Sequence, residues 1–470
     1  MELRPSAGTG GVTGLRVGSR SFLRRPAVIV AAAAAGVAAA FVPVNARGAG
    51  AAGPPADGIV CNNGVVSSGH VSFVLTARDG NILTPDGNSI YMWSYASGTD
   101  HFQYPGPVLC VHENDHVTVT LDNTLPQPVS IVFPGITGVA ADGKPSQPDL
   151  AANTLTKAAA TSGSVTYTFV ASHPGTYLYE SGTNPQIQVQ MGLVGALVVR
   201  PSVGDNHIYD EETTPAGGTP IANTQFNAQT EYIHLLSEID PDLHLAIENG
   251  ASTFDMTKYK ARYWMINGRS FPDTIAPNFA QHLPNQPYGA LVHVQPRSAS
   301  NPDPAVIRYL NAGPVAYPFH PHSNNERIVG IDGRRQLDPT AGAGGTPADT
   351  SVDRYGIVVP PGSTMEGEFT WSADPTTAQG WDPNNRPIDV PVPQDQSRTD
   401  GAYWNGTPYL GQTGPLVNGL TQYNECGEFY HVAHSHALFQ ATNYGASMGG
   451  MLTMVRIDPP NRSDCTKAGY

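Results

Sequence analysis

The sequence predicts an all-β protein built from sandwich domains, and three observations predict it. Strand-like runs containing Val, Thr and Tyr recur at short intervals between Gly, Pro, Asn and Asp. Glycine (50) and proline (42) are abundant while charged residues make up only 14%, as suits short strands joined by tight turns. Helical periodicity is scarce outside the N-terminus. A chain of 470 residues can hold two or three domains and bury a large core.

Residues 1–50 read as an export signal. Arg16, Arg20, Arg24 and Arg25 precede the apolar stretch PAVIVAAAAAGVAAAFVPV, and small residues follow at Val44–Asn45–Ala46. The Arg24–Arg25 pair hints at twin-arginine export, but SRSFLRRPA matches that consensus poorly and a general secretory route stays open. An uncleaved anchor is the competing reading, which the weakly apolar Ala-rich core disfavours. No later run is apolar enough to span a membrane, so the processed protein is expected to be secreted, extracellular or in the cell envelope with no stable span. Four cysteines, Cys61, Cys110, Cys426 and Cys465, suggest disulfides in an exported chain. Three pairings are possible; Cys61–Cys110 with Cys426–Cys465 is preferred because each closes a loop within one domain.

Residues 57–202 read as a first β domain. Its strand candidates are HVSFVLTARDG, NSIYMWSYASG, HVTVTLDNTL, SVTYTFVAS, GTYLYESG and GALVVRP. The polar, Pro/Gly-rich 203–222 reads as a linker. Residues 223–470 read as a second domain, with TEYIHLLSEID, YWMINGRSF, YGALVHV, AVIRYLNAG, ERIVGIDG, YGIVVPPG and MEGEFTWSA as strands. The Pro/Asp/Asn/Gln-rich stretch at about 373–424 is too long for an ordinary connection and reads as an inserted surface loop. The segments from EFYHVAHSHALF to GGMLTMVRIDP supply closing strands.

Two His-x-His pairs stand out, His320–Pro321–His322 and His434–Ser435–His436. On an extended strand such a pair puts both imidazoles on one face. Two such strands side by side can aim four nitrogens at one point, and imidazole suits copper, zinc, iron and nickel. With 15 histidines in the chain, a single pair would carry little weight. Net charge is −14; residues 1–50 hold six Arg and one Glu, contributing +5 and leaving −19 beyond them. That balance argues against nucleic-acid binding, which needs basic patches, and mildly favours cationic ligands or metal ions. The chain has no GxSxG elbow and no phosphate-binding Gly-Lys-Ser/Thr loop.

YPGPVLCVHENDHVTVTLDNTL, HPGTYLYESG with QMGLVGALVVRP, MINGRSFPDT, RYLNAG, YPFHPHSN, VGIDG and VVPPGS occur in that order. Together they resemble the multicopper oxidase superfamily across most of residues 80–460. The resemblance implies two cupredoxin-like Greek-key β-sandwich domains. It is closest to two-domain laccases and copper nitrite reductases, and so implies a homotrimer with metal sites between domains of adjacent subunits. His320, His322, His434 and His436 match retained copper ligands. Several other ligand positions are changed. The first-domain His-x-His-Gly falls on Val132, Phe133 and Pro134, and Tyr-His-Ser-His becomes Tyr179–Glu180–Ser181–Gly182. A nitrite reductase histidine falls on Gln190. In the second domain the leading His falls on Tyr317, the blue-copper Cys on Ser435 and its later His on Gln440. A blue-copper site needs a thiolate, and a serine hydroxyl is hardly ionised near neutral pH, so no blue-copper centre is expected.

The expected metal set is therefore His320, His322, His434 and His436, with Glu180 as a carboxylate ligand if it faces the same site. Copper is the expected cofactor, and iron, manganese or zinc would also suit a His/carboxylate set. His431 is a candidate donor behind the ligands or a packing residue, Tyr317 and Tyr430 are assigned to core packing, and His112, His116 and His173 are unassigned. The leading functional expectation is a secreted copper oxidoreductase with a reduced metal set, acting on a small molecule, a metal ion or dioxygen. The alternatives are a metal-binding or structural scaffold without redox turnover, and a hydrolase using metal-activated water.

Overall fold

The computed structural model describes residues 57–210, 221–297, 302–322, 324–340, 345, 347–371, 429–446 and 449–458. The export-signal region, the inserted loop, Cys426 and Cys465 lie outside these. The strands expected from the sequence form where alternation places one side chain inward and the next outward. Residues of His116–Asn123 alternate strictly between buried and more exposed positions.

Two sheets make the first sandwich. The larger runs Val65–Ser67, His70–Leu83, His116–Asn123, Ser164–Val170, Ala140–Ala141 and Lys144–Pro145, with Ser89–Ser97 paired to His70–Leu83. The smaller runs Cys61–Asn62, Val108–His112, Val194–Arg200 and Gly175–Glu180. Trp93, Tyr95, Leu121, Tyr167 and Leu197 fill the space between them. The Cys61–Cys110 disulfide is present.

The second sandwich repeats the plan. Its larger sheet runs Tyr263–Ile266, Glu231–Ile239, Ala305–Asn311, Thr364–Phe369, Glu326–Ile331 and Arg334–Arg335, with Val352–Arg354 on Glu326–Ile331. The smaller runs Val292–Val294, Leu452–Ile457, Phe429–Ser435, Tyr317–Pro321 and Ile357–Val359. Leu236, Tyr309, Phe319, Val359 and Val455 are among its core residues.

Val194–Arg200 and Glu231–Ile239 are buried along their whole lengths. One face of each belongs to its own core. The other faces meet, with Val194, Ala196 and Val198 packed among Ile233, Leu235 and Ile239. An arginine–carboxylate network crosses the same junction. Arg200 holds Glu231 with two hydrogen bonds of 2.8 Å, and Arg308 Nε reaches the same carboxylate at 2.7 Å. Within the stretch read as a linker, Ile208 and Tyr209 are buried against Phe226, Val306 and Val329. Compositional polarity does not register two apolar anchors in a short segment. The sequence also concealed a helix, Pro241–Glu248, capped by the Asp240 carboxylate on the Asp242 N–H at 2.9 Å.

Candidate metal centre

Tyr317–Pro321 pairs antiparallel with Phe429–Ser435, so that His320 lies directly opposite His434. Outside the ladder the His322 N–H donates to Val432 O at 2.9 Å and the His436 N–H to Pro318 O at 2.7 Å. This register makes His322–His434 and His320–His436 diagonal neighbours. Phe319, just before His320, lies in the core and Pro321 between the first pair is buried, so alternation turns the histidines to the outer face.

The four imidazoles gather there. Ring centroids are 4.6 Å apart for His320–His322, 5.1 Å for His322–His434, 5.2 Å for His320–His436 and 5.7 Å for His434–His436. His434 is buried, His320 and His322 are half-buried and His436 is exposed, which leaves the group open on one side. His322 Nε2 and His434 Nε2 are 3.0 Å apart.

Hydrogen bonds fix which nitrogens face the gap. His434 Nδ1 donates to Ser435 O at 2.8 Å, and His320 Nδ1 donates to the Tyr355 carbonyl at 2.5 Å. In each neutral ring the proton then sits on Nδ1 and the lone pair on Nε2, the orientation that metal-bound histidines acquire from a carbonyl behind them. Burial, then the neighbouring His434, His320 and His436, pushes His322 down to about 4. Burial also lowers His434, reinforced by His320 and His436 and opposed by the Ser435 hydrogen bond. Both rings are therefore neutral near pH 7, as metal ligation requires.

The donor set fits copper in part. With imidazole–metal distances of roughly 2.0–2.1 Å, an ion shared by two nitrogens 3.0 Å apart would see them at about 95°, near the right angle of tetragonal cupric geometry. Among the described residues no three His, Cys, Asp or Glu side chains are already arranged to hold an ion. The imidazoles are thus gathered but not converged, and a third ligand would need a side-chain rotation.

Glu180 ends the strand Gly175–Glu180 in the first sandwich, its backbone bridged to Val132. Among the described contacts none links its carboxylate to the four histidines within one chain, and burial raises it to about 7. His431 is fully buried and stacked on Trp371, with centroids 5.0 Å apart. Burial, and secondarily His322, lowers it to about 3. Tyr317 is a core residue whose hydroxyl donates to Glu238 Oε2 at 3.1 Å; the Tyr430 side chain lies outside the described residues. The Ser435 hydroxyl donates to Gln440 Oε1 at 2.5 Å, and both residues are buried. Sequence reading missed the Trp371 stack, the Tyr355 carbonyl and the Glu238 partner, since each comes from a distant segment with no motif of its own.

Residues 91–203 match the multicopper oxidase family. Curated protein sequences give no match. Among solved structures, the blue copper oxidase from Nitrosomonas europaea is similar with a TM-score of 0.51 at 17% identity, over 82% of this chain and 85% of that one. A multicopper oxidase, mgLAC, is similar with a TM-score of 0.51 at 16% identity, over 83% and 86% respectively. At such identities the likeness is one of fold.

Proposed function

We propose, from a chain whose residues 91–203 match the multicopper oxidase family and whose fold is cupredoxin-type, that this is a copper-dependent oxidoreductase with a reduced metal set. The observation that carries the reading is the outer-face group of four imidazoles, two of them with Nε2 atoms 3.0 Å apart. His322 and His434 would bind first, with His320 and His436 completing the site by rotation about their side-chain torsions. Bound copper would supply one-electron redox chemistry at a centre open to solvent on the His436 side.

The chain's own groups prepare that centre. The Tyr355 and Ser435 carbonyls hold His320 and His434 in the ligand tautomer. In the metal-free protein His322 donates its Nε2 proton to His434, so binding must shift that proton to His322 Nδ1 or release it. The buried Ser435–Gln440 hydrogen bond occupies positions where the family resemblance would put thiolate and imidazole, which supports the absence of a blue-copper centre. We take the substrate to be a small molecule or metal ion. Export is supported by the N-terminal charge and hydropathy pattern and by the Cys61–Cys110 disulfide. The resemblance implies a homotrimer with metal sites between domains of adjacent subunits, and light scattering tests that assembly.

The test is metal analysis with copper electron paramagnetic resonance on the purified chain. About one or two coppers per chain are expected, with no intense blue band, and loss of copper in the H434A/H436A double variant. Undiminished copper in that variant refutes the assignment. The unconverged donors favour a second reading, a metal-binding or structural protein without turnover; copper-loaded protein that oxidises no phenol or metal ion would select it.

A further inference from the structure

Phe369 lies in the core of the second sandwich, so alternation turns its neighbour Glu368 to the outer face of the larger sheet. There Glu368 stands directly opposite Arg327, and Arg327 in turn stands opposite Asp353. The three form a row across Thr364–Phe369, Glu326–Ile331 and Val352–Arg354. Arg327 divides its guanidinium between two acids, with Nη1 donating to Glu368 Oε2 at 3.4 Å and Nη2 to Asp349 Oδ2 at 2.5 Å. Glu368 Oε1 is left without a hydrogen-bond partner among the described residues, although Glu368 is only 7% exposed. A buried carboxylate oxygen in that state costs free energy until a donor reaches it.

The row opens into a cleft of about 340 Å³, which Glu368, Arg327 and Asp353 line together with Asp303 and Arg297. That is room for a small molecule rather than for a single water. Asp303 Oδ2 accepts from the Gln225 amide at 3.3 Å, and Arg297 Nε donates to Pro302 O at 2.7 Å. Asp353 is exposed. Three carboxylates thus line the cleft with two guanidiniums, and one of those guanidiniums also serves Asp349. The balance is negative and favours a cation. Glu326 supplies the contrast. Its Oε2 also lacks a described partner, but it is sealed against Gly367, where a Cβ would overlap it, and it lines no described cavity.

We propose that this cleft binds a small organic primary ammonium ion, with Glu368 Oε1 as the buried acceptor of its N–H and Asp353 as a second anionic contact at the mouth. A charged N–H donor satisfies a carboxylate oxygen more strongly than a neutral hydroxyl does. The site is independent of the copper reading, because it lies on the outer face of the larger sheet and the four histidines lie on the outer face of the smaller one. Burial pushes the Glu368 carboxyl up to about 7; Arg327 opposes that rise, Asp349 adds to it and Arg335 opposes it. A bound ammonium favours the ionised carboxylate. Binding therefore releases a proton near neutral pH and tightens as pH rises through that value.

Isothermal titration calorimetry of the full chain at low ionic strength tests this with three probes. They are putrescine, the uncharged diol of the same length, and choline, which carries charge but no N–H donor. Putrescine should bind at pH 8 about tenfold more tightly than at pH 6, and the heat should depend on the buffer's ionisation enthalpy as the released proton is taken up. The diol and choline should each bind at least about tenfold more weakly than putrescine. E368Q should weaken putrescine binding by about tenfold or more and remove its pH dependence; D353N should weaken it by a smaller factor. Circular dichroism checks folding, and the exposed D353N carries the test if E368Q is unfolded. Binding of the diol or of choline as tight as that of putrescine overturns the proposal, as does parent-like affinity in folded E368Q or D353N. Absence of putrescine binding overturns it too, and leaves water as the occupant of the cleft.

Discussion

Glu326 is fully buried, and the one described hydrogen bond to its carboxyl comes from the Tyr309 hydroxyl at 2.6 Å. Burial pushes its carboxyl up to about 8, with the tyrosine offsetting part of that rise. In the unfolded chain the same group ionises near its ordinary value, so the folded form binds an extra proton between those limits. Stability should therefore fall as pH rises from about 4.5 to about 8, by up to about 1.4 kcal/mol per pH unit from this one group. E326Q, which stays neutral, should lose less stability over that window; urea denaturation at pH 5 and pH 8 measures the difference. At the proposed metal centre the two most enclosed of the four histidines should matter most. H322A is expected to weaken copper binding more than H436A, whose ring is exposed, as competition with a copper chelator would show. The two His-x-His spacings made these four residues legible in the sequence. The environment of Glu326 was not, because in ERIVGIDG it is one more acid at a strand start and its burial comes from strands far along the chain.

Paired strands decide the next level. Arg200, at the end of Val194–Arg200, and Arg308, on Ala305–Asn311, converge on Glu231 at the start of Glu231–Ile239. Burial alone would raise the Glu231 carboxyl, but Arg308 and Arg200 hold it below its ordinary value. That contribution is present above the unfolded carboxyl value and is lost as pH falls through the folded one. Removing the carboxylate takes from the Arg200 and Arg308 guanidiniums their shared partner and leaves Arg308 only the longer 4.0 Å pair with Glu366, so E231Q should cost about 3–5 kcal/mol by urea denaturation near neutral pH. The E231M/R200M/R308M triple variant should recover much of that loss, because apolar replacement of a whole buried set is often neutral. Helix Pro241–Glu248 had a readable start: Asp-Pro supplies the cap and the first turn. Sequence reading assigns it no element, because the strand candidate TEYIHLLSEID stops just before it and eight residues are too few for a periodic signal.

Over the whole molecule, two sandwiches share a junction that is apolar around the arginine network. The Cys61–Cys110 link spans 49 residues and restricts the unfolded chain, so the C61S/C110S variant should be less stable by about 2–4 kcal/mol. Thermal unfolding in oxidising buffer, compared with reduced parent protein, tests this. The sequence by itself determined the all-β class, most strand positions and the pairing of histidines on single faces. Period-two alternation and turn residues are local rules that a strand obeys wherever it lies. Only the tertiary structure decided that His320 stands opposite His434 and that Tyr317 meets Glu238. Register and inter-sheet contact depend on segments far apart in the chain packing against one another, and no local pattern encodes which two will meet.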